Sequence, residues 1–188
     1  MKITINIFLT WIFINLLFAQ VNVESLRADD QTYGIKHSLA LDFSYFSSDV
    51  KITQIATSYA MNYKLKTGIY GFISGEYERA FEKNKEDFTN RGFIHCRIAK
   101  PVLKYIDVES FIQKEQNYFI DLNNRELIGL GARFNQFNNL YWGIGLMHEL
   151  EEYSKNIYEI IKSTNYINYK IKVFDIVEIS NVIYYQFK

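Results

Sequence analysis

Apolar and polar residues alternate along most of the chain. Over residues 105–153 the alternation recurs in three successive segments, which short polar connectors separate. In the first segment Val108 and Ile112 fall on one face, whereas Glu109 and Gln113 fall on the other. A period of two that persists over this many residues predicts β-strands with two unlike faces.

The same pattern over the rest of the chain predicts about nine strands of roughly 10 to 14 residues. Membrane-crossing strands need about 9 to 11 tilted residues, whereas strands of soluble proteins typically have about five or six. The predicted fold is therefore all-β, an antiparallel up-and-down β-barrel of about 8–10 long strands of the outer-membrane type. Because single-chain bacterial barrels have even strand numbers, either one strand is split or merged in this prediction, or the barrel is incomplete at the C-terminus.

The strands are predicted to meet in short polar connections. Lys66 and Thr67 are predicted to form a turn, and Pro101 is predicted to lie in a connector because proline cannot donate to a strand ladder. Residues 151–162 are polar and are predicted to form a short helical turn or an extended outer loop. The last hairpin is predicted to turn around Asp175.

The first 19 residues are predicted to form a signal peptide. Lys2 supplies the positive start, an apolar run follows, and Ala19 is the small residue expected before cleavage. The alternative is a permanent anchor helix, but the apolar core is short for a membrane-spanning helix. Residues 20–32 are predicted to be a flexible lead-in and residues 33–188 the β-barrel domain. The protein is therefore expected to be exported to the bacterial outer membrane, with the periplasm as the alternative location.

Composition narrows the classes of function. The 188 residues include 21 Lys and Arg and 21 Asp and Glu, so the formal net charge is zero. This balance gives no reason to expect a nucleic-acid partner. The 15 tyrosines suit positions that are apolar on one side and wet on the other, as in a barrel wall or a membrane interface. The single Cys96 cannot form an internal disulfide and has no metal-ligand spacing around it, and no cofactor is predicted.

The middle of the chain resembles a known family, the salt-induced outer-membrane proteins of the YdiY-like type, a domain family of unknown function. The resemblance lies in residues 105–134, where the family has a Phe-x-Asp-Leu-x-x-Arg turn followed by a glycine-alternating strand. Residues 143–153 (GIGLMHELEEY) and 180–187 (SNVIYYQF) are similar to later strands of the family. The resemblance implies an outer-membrane location and no established activity, and in the family further strands usually follow the Tyr-Tyr-Gln run. The matching turn and strand residues are Phe119, Asp121, Leu122, Arg125, Gly129 and Gly131.

One face of the predicted strands carries the charged residues and the glycines. The alternating glycines of two strands, Gly129 with Gly131 and Gly143 with Gly145, are expected to leave room for bulky side chains in a narrow lumen; a pore widened by glycine is the alternative. Buried charges need partners, so an internal network is expected in which Arg133 pairs with Glu109 or Glu149, with a selectivity lining as the alternative. The residues of this predicted lumen network are Asp107, Glu109, Gln113, Arg133 and Glu149.

Two other groups of residues are candidates for chemistry. Asp121 and Arg125 flank a hairpin, where turn capping and a salt bridge that fixes the register are favoured over a ligand or lipopolysaccharide contact. His148 and Glu149 are adjacent in a strand and therefore face opposite sides, and no serine stands in a Gly-x-Ser-x-Gly setting. No catalytic activity is therefore expected, although a lipid-modifying barrel enzyme is a third hypothesis.

The function predicted from the sequence is a small outer-membrane β-barrel of structural or envelope-stress character. Its expected partners are outer-membrane lipid and, during biogenesis, the barrel-assembly machinery; the sequence identifies no small-molecule ligand. The alternative is a soluble periplasmic or secreted lipocalin-like barrel that binds an apolar ligand. The two hypotheses require opposite orientations of the strands, because the first needs its apolar face outward and the second needs it inward. Alternation alone does not give that orientation.

Overall fold

A computed structural model describes residues 23–26, 33–48, 50–83, 85, 87–137, 139–173 and 177–187. The predicted signal peptide, most of the predicted lead-in and the predicted turn at Asp175 lie outside these ranges. The described residues form nine strands and two short 3-10 helices, at Val23–Leu26 and at Tyr118–Ile120. The strands are β1 (Gly34–Ser47), β2 (Lys51–Lys64), β3 (Tyr70–Glu82), β4 (Asp87–Leu103), β5 (Ile106–Asn117), β6 (Leu122–Phe137), β7 (Leu140–Tyr153), β8 (Ile157–Val173) and β9 (Val177–Tyr185).

All nine strands belong to one sheet, in which each strand pairs antiparallel with the next in chain order. The prediction of an all-β, up-and-down antiparallel fold is confirmed, and so are the long strands, which have 9 to 17 residues. Within the described residues the sheet is open, with β1 and β9 at its edges. This arrangement is consistent with an incomplete barrel. Because strands alternate in direction, β1 and β9 run the same way, so that an antiparallel closure requires an odd number of additional strands.

The sheet is strongly curved, as shown by side chains of distant strands that contact each other across one of its faces. The Tyr166 hydroxyl of β8 donates to a carboxylate oxygen of Glu109 on β5, three strands away, at 3.1 Å. This concave face corresponds to the lumen of a barrel, and the other face is convex. The end of the sheet where β1 begins, with the turns after β2, β4 and β6, is called the proximal end. The opposite end, with the turns after β1, β3, β5 and β7, is called the distal end.

Two local predictions were wrong. Residues 151–162 form no helical turn or outer loop: β7 continues to Tyr153 and β8 begins at Ile157, with Leu150 opposite Glu159 in the ladder. Polar residues occur on both faces of these strand ends, and this obscured the alternation. Pro101 lies within β4 instead of a connector, and the β4–β5 register shifts between Pro101 and Leu103, the kind of irregularity at which a strand tolerates proline.

Candidate functional site

Most charged side chains of β5 to β8 lie on the concave face, together with buried apolar residues such as Phe111, Leu127 and Met147, whereas the convex face is mainly apolar. On β6 and β7 the concave residues Arg133 and Glu149 are 2% and 0% exposed. The convex residues Ile128 and Leu130, which alternate with the concave residues of β6, are 62% and 61% exposed. Alternation did not predict which face is concave. The structure shows that these charged side chains point into the concave side and that these aliphatic side chains point out from the convex side.

Exposed aliphatic and aromatic residues are partly separated along the convex face. The middle of β4 to β8 is mainly aliphatic and many exposed aromatic side chains lie towards the two ends, although Tyr59 and Tyr77 are exposed nearer the middle of β2 and β3. Phe134 and Trp142 stack at the proximal end with ring centroids 4.2 Å apart. The exposed aliphatic residues of the middle include Ile94, Ile112, Ile128, Leu130, Leu146 and Ile161. The exposed aromatic residues of the strands include Tyr63, Trp142 and Tyr169 proximally and Tyr45 and Phe88 distally, and the exposed aromatic residues of the turns include Tyr105 proximally and Tyr118 and Phe119 distally.

A first group of charges, the distal cluster, consists of Glu115, Arg125, Glu149, Glu151 and Lys162. Nε of Arg125 donates to a Glu149 carboxylate oxygen at 2.7 Å, and the same guanidinium lies 3.4 Å from Glu115 and 3.3 Å from Glu151. Lys162 of β8 forms an ion pair with Glu149. Three carboxylates and two cations from β5, β6, β7 and β8 thus lie together near the distal end of the concave face.

A second group, the proximal cluster, consists of Glu24, Arg97, Glu109, Tyr166 and Tyr184. Arg97 forms an ion pair with Glu24 of the first 3-10 helix and lies 3.4 Å from a Glu109 carboxylate oxygen. The backbone N–H of Glu24 donates to the Tyr184 hydroxyl of β9 at 3.4 Å. This cluster therefore joins β4, β5, β8 and β9 to the segment that precedes β1.

Between the clusters lies a layer of rings and one amide. Nδ1 of His95 is 3.1 Å from the Gln113 side-chain oxygen, and the imidazole stacks on Phe111 with ring centroids 5.6 Å apart. Ser74 lies opposite His95 in the β3–β4 register, and both residues are fully buried. A serine beside a histidine is a pair of residue types found in catalytic sites, but neither side chain is accessible to a substrate in this structure.

Four of the five predicted lumen residues are buried on the concave face. Asp107 is half-buried and lies opposite Arg133 in the β5–β6 register. The structure divides the predicted single network into two: Arg97 neutralises Glu109, while Arg125 and Lys162 neutralise Glu149. The guanidinium of Arg133 lies 4.2 Å from the centroid of the Tyr141 ring.

The cations of these networks were missed for different reasons. Arg97 alternates with His95 in the sequence, but only the pairing of β4 with β5 brings it near Glu109. Lys162 was missed because it lies in the stretch predicted to be a loop. Arg125 was assigned to a turn salt bridge, whereas its guanidinium points along the concave face.

The residues that carry the family resemblance have unlike environments. Asp121 has a left-handed backbone (φ 56°), ends the second 3-10 helix and donates its N–H to the Tyr118 carbonyl at 3.2 Å. Phe119 is exposed beside it, and Leu122 is buried at the start of β6. Gly129 and Gly131 lie on the concave face.

The concave glycines make room for rings from neighbouring strands. A Cβ at Gly129 would lie 2.2 Å from the Phe111 ring, and a Cβ at Gly143 would lie 2.1 Å from the Tyr166 ring. Gly131 and Gly145 face each other, and a Cβ on either would approach the opposite backbone within 2.7 Å. This geometry favours packing over a pore widened by glycine, because aromatic side chains occupy the space above two of the glycines.

Replacing Gly129 by alanine should therefore lower the free energy of unfolding by about 1–3 kcal/mol, the usual cost of overpacking. The Phe111 ring would have to leave its position against His95. The matched control is Gly71→Ala, because a Cβ there meets nothing closer than 4.0 Å. Urea denaturation of the two variants checks the prediction, and equal midpoints would contradict it.

The described residues contain no helix long and apolar enough to span a membrane. The same ranges contain no group of three or more His, Cys, Asp or Glu side chains arranged to hold a metal ion. Comparisons with protein-family models, with curated proteins and with solved structures find no match for this chain. The resemblance to salt-induced outer-membrane proteins therefore stays a prediction.

Proposed function

We propose that the protein is a small β-barrel of the bacterial outer membrane with a structural or envelope-stress role. The observation that carries this proposal is the orientation of the alternation, with aliphatic side chains exposed on the convex face and charges buried on the concave face. In water an exposed apolar surface of this extent is unfavourable, whereas in a bilayer the same surface contacts lipid chains.

Two further features support the proposal. The exposed aromatic residues near both ends resemble the girdles that mark the two membrane interfaces of outer-membrane barrels. The strands of 9 to 17 residues are long enough to cross the hydrocarbon core with a tilt. The partners that follow are outer-membrane lipid on the convex face and, during biogenesis, the barrel-assembly machinery. The proposal includes no catalytic step and no cofactor.

A lipocalin-like carrier is the competing class of protein. Such a carrier needs an apolar concave face for its ligand and a polar convex face for water. Here the concave face holds two ionic clusters, and an apolar ligand bound there would remove water from these charges at a cost in free energy. These clusters therefore favour the membrane protein over the carrier.

Cell fractionation followed by electrophoresis with and without boiling tests the proposal. The full chain, expressed in a Gram-negative host, is expected in the outer-membrane fraction, with a folded band whose mobility changes on boiling. Recovery in the soluble periplasmic fraction without a mobility change would overturn the proposal and make extraction of a bound apolar ligand the next experiment.

A further inference from the structure

The first 3-10 helix, Val23–Leu26, lies on the concave face at the proximal end. Val23 and Glu24 are each 1% exposed, although they precede the first strand and belong to no sheet. Val23 packs in a hydrophobic cluster with Tyr70, Phe72 and Ala99 of β3 and β4. Burial this complete places the helix inside the curve of the sheet.

Glu24 connects opposite walls of that curve. Its carboxylate pairs with Arg97 on β4, and its backbone N–H donates to the Tyr184 hydroxyl on β9, five strands away. Arg97 is itself only 6% exposed and also lies near Glu109. The carboxylate therefore lies in a buried site with a guanidinium as its partner, where loss of the partner charge is costly.

The space on the concave face differs between the two ends. Beside Arg97 and Tyr184, which contact Glu24 of the helix, a cavity has a volume of only about 20 Å³, enough for roughly one water molecule. Its lining includes Arg97, Glu109, Phe111, Tyr166 and Tyr184. Towards the distal end a cavity of about 520 Å³ opens between β1 and β5. The concave space is thus wide distally and filled where the helix lies.

We propose that Val23–Leu26 is a plug that closes the proximal end of the concave space, and that the Glu24–Arg97 ion pair holds it there. Displacing the plug uncovers Ala99 and the strand residues of the proximal cluster and connects them with bulk solvent. The inference deepens the proposed function, since in an outer-membrane barrel this plug would restrict passage through the lumen. The contacts that define the plug lie on the concave face, opposite the convex face that the proposed function assigns to lipid.

Cysteine accessibility tests the plug directly. The chain has one cysteine, Cys96, so the background is Cys96→Ser, and Ala99→Cys places a thiol beneath Val23. A small water-soluble methanethiosulfonate reagent is expected to label this thiol slowly. Adding Glu24→Gln should raise the labelling rate at least about tenfold, because the buried guanidinium then loses the charge of its partner. The matched control, Glu126→Gln, removes an exposed carboxylate of the convex face and should leave the rate unchanged.

A second variant removes the plug by a different change, so that the result does not depend on the Glu24→Gln substitution alone. Replacing residues 23–26 by Gly-Ser-Gly-Ser removes both the valine packing and the carboxylate, and should label at least as fast as Glu24→Gln. Labelling of both variants at the parent rate would overturn the plug. Rapid labelling of the parent itself, with Glu24 intact, would also overturn it.

Labelling and fractionation give separate answers. Faster labelling of the two variants in a protein that fractionates as soluble supports the plug and overturns only the membrane proposal. Unchanged labelling in a heat-modifiable outer-membrane protein overturns only the plug.

Discussion

Replacing Glu149 by alanine should lower the free energy of unfolding by about 3 kcal/mol, the lower part of the range for breaking a buried ion pair. Glu149 is fully buried and accepts from Arg125, and Lys162 pairs with the same carboxylate. Its removal leaves two cations whose side chains are only 12% and 16% exposed. Because Glu115 and Glu151 still lie near Arg125, the loss should stay at the lower end of that range.

The control for this prediction is a carboxylate of the opposite face. Glu126 of β6 pairs with Lys114 at 2.9 Å, and the two side chains are 47% and 64% exposed. Replacing Glu126 by alanine should therefore cost less than about 1 kcal/mol. Urea titration of the parent and both variants measures the difference in the free energy of unfolding. The intensity of the folded band on unboiled gels reports the folded fraction at each urea concentration. Equal losses would show that the distal cluster does not stabilise the fold.

A volume-conserving variant separates charge from packing. Glu149→Gln keeps the size and the hydrogen-bonding oxygen but removes the negative charge. If charge compensation dominates, this variant should lose nearly as much stability as Glu149→Ala. If the side chain acts mainly by filling space, the glutamine variant should remain close to the parent.

The distal cluster illustrates which parts of the fold a single sequence can predict. Alternation is a local property, because neighbouring side chains of a strand point to opposite faces. The nine strands and the shared face of Glu109, Gln113, Arg133 and Glu149 could therefore be predicted without knowing any pairing. Which cation neutralises which carboxylate depends on the register between strands, and Arg125 meets Glu149 only because β6 pairs with β7.

Two other features required tertiary information. The outward orientation of Ile128 and its equivalents depends on the direction in which the sheet curves, which alternation does not specify. The position of Val23–Leu26 depends on Arg97 and Tyr184, which lie on strands far along the chain. The polar character of residues 20–32, which include these four, predicts a flexible lead-in, and the ion pair that buries Glu24 has no local signal in the sequence.

The orientation of the convex face leads to a prediction that tests the membrane proposal energetically. Replacing Ile128 by arginine should lower the free energy of unfolding in lipid vesicles by about 2–4 kcal/mol, the cost of arginine near the bilayer midplane of a β-barrel. Ile128 lies near the middle of β6 and is 62% exposed on the convex face. In a soluble protein the same substitution at an exposed position would change stability by no more than about 0.5 kcal/mol.

Arginine at the end of the sheet is the matched control. Phe119 is exposed at the distal turn between β5 and β6, where the proposal puts the membrane interface. Replacing Phe119 by arginine should cost no more than about 1 kcal/mol, since the penalty falls towards the interface. Urea unfolding of both variants in vesicles gives the comparison. A large loss at Ile128 with a small loss at Phe119 requires a depth-dependent apolar environment around the convex face, whereas small losses at both positions would mean that water contacts that face and would overturn the membrane proposal.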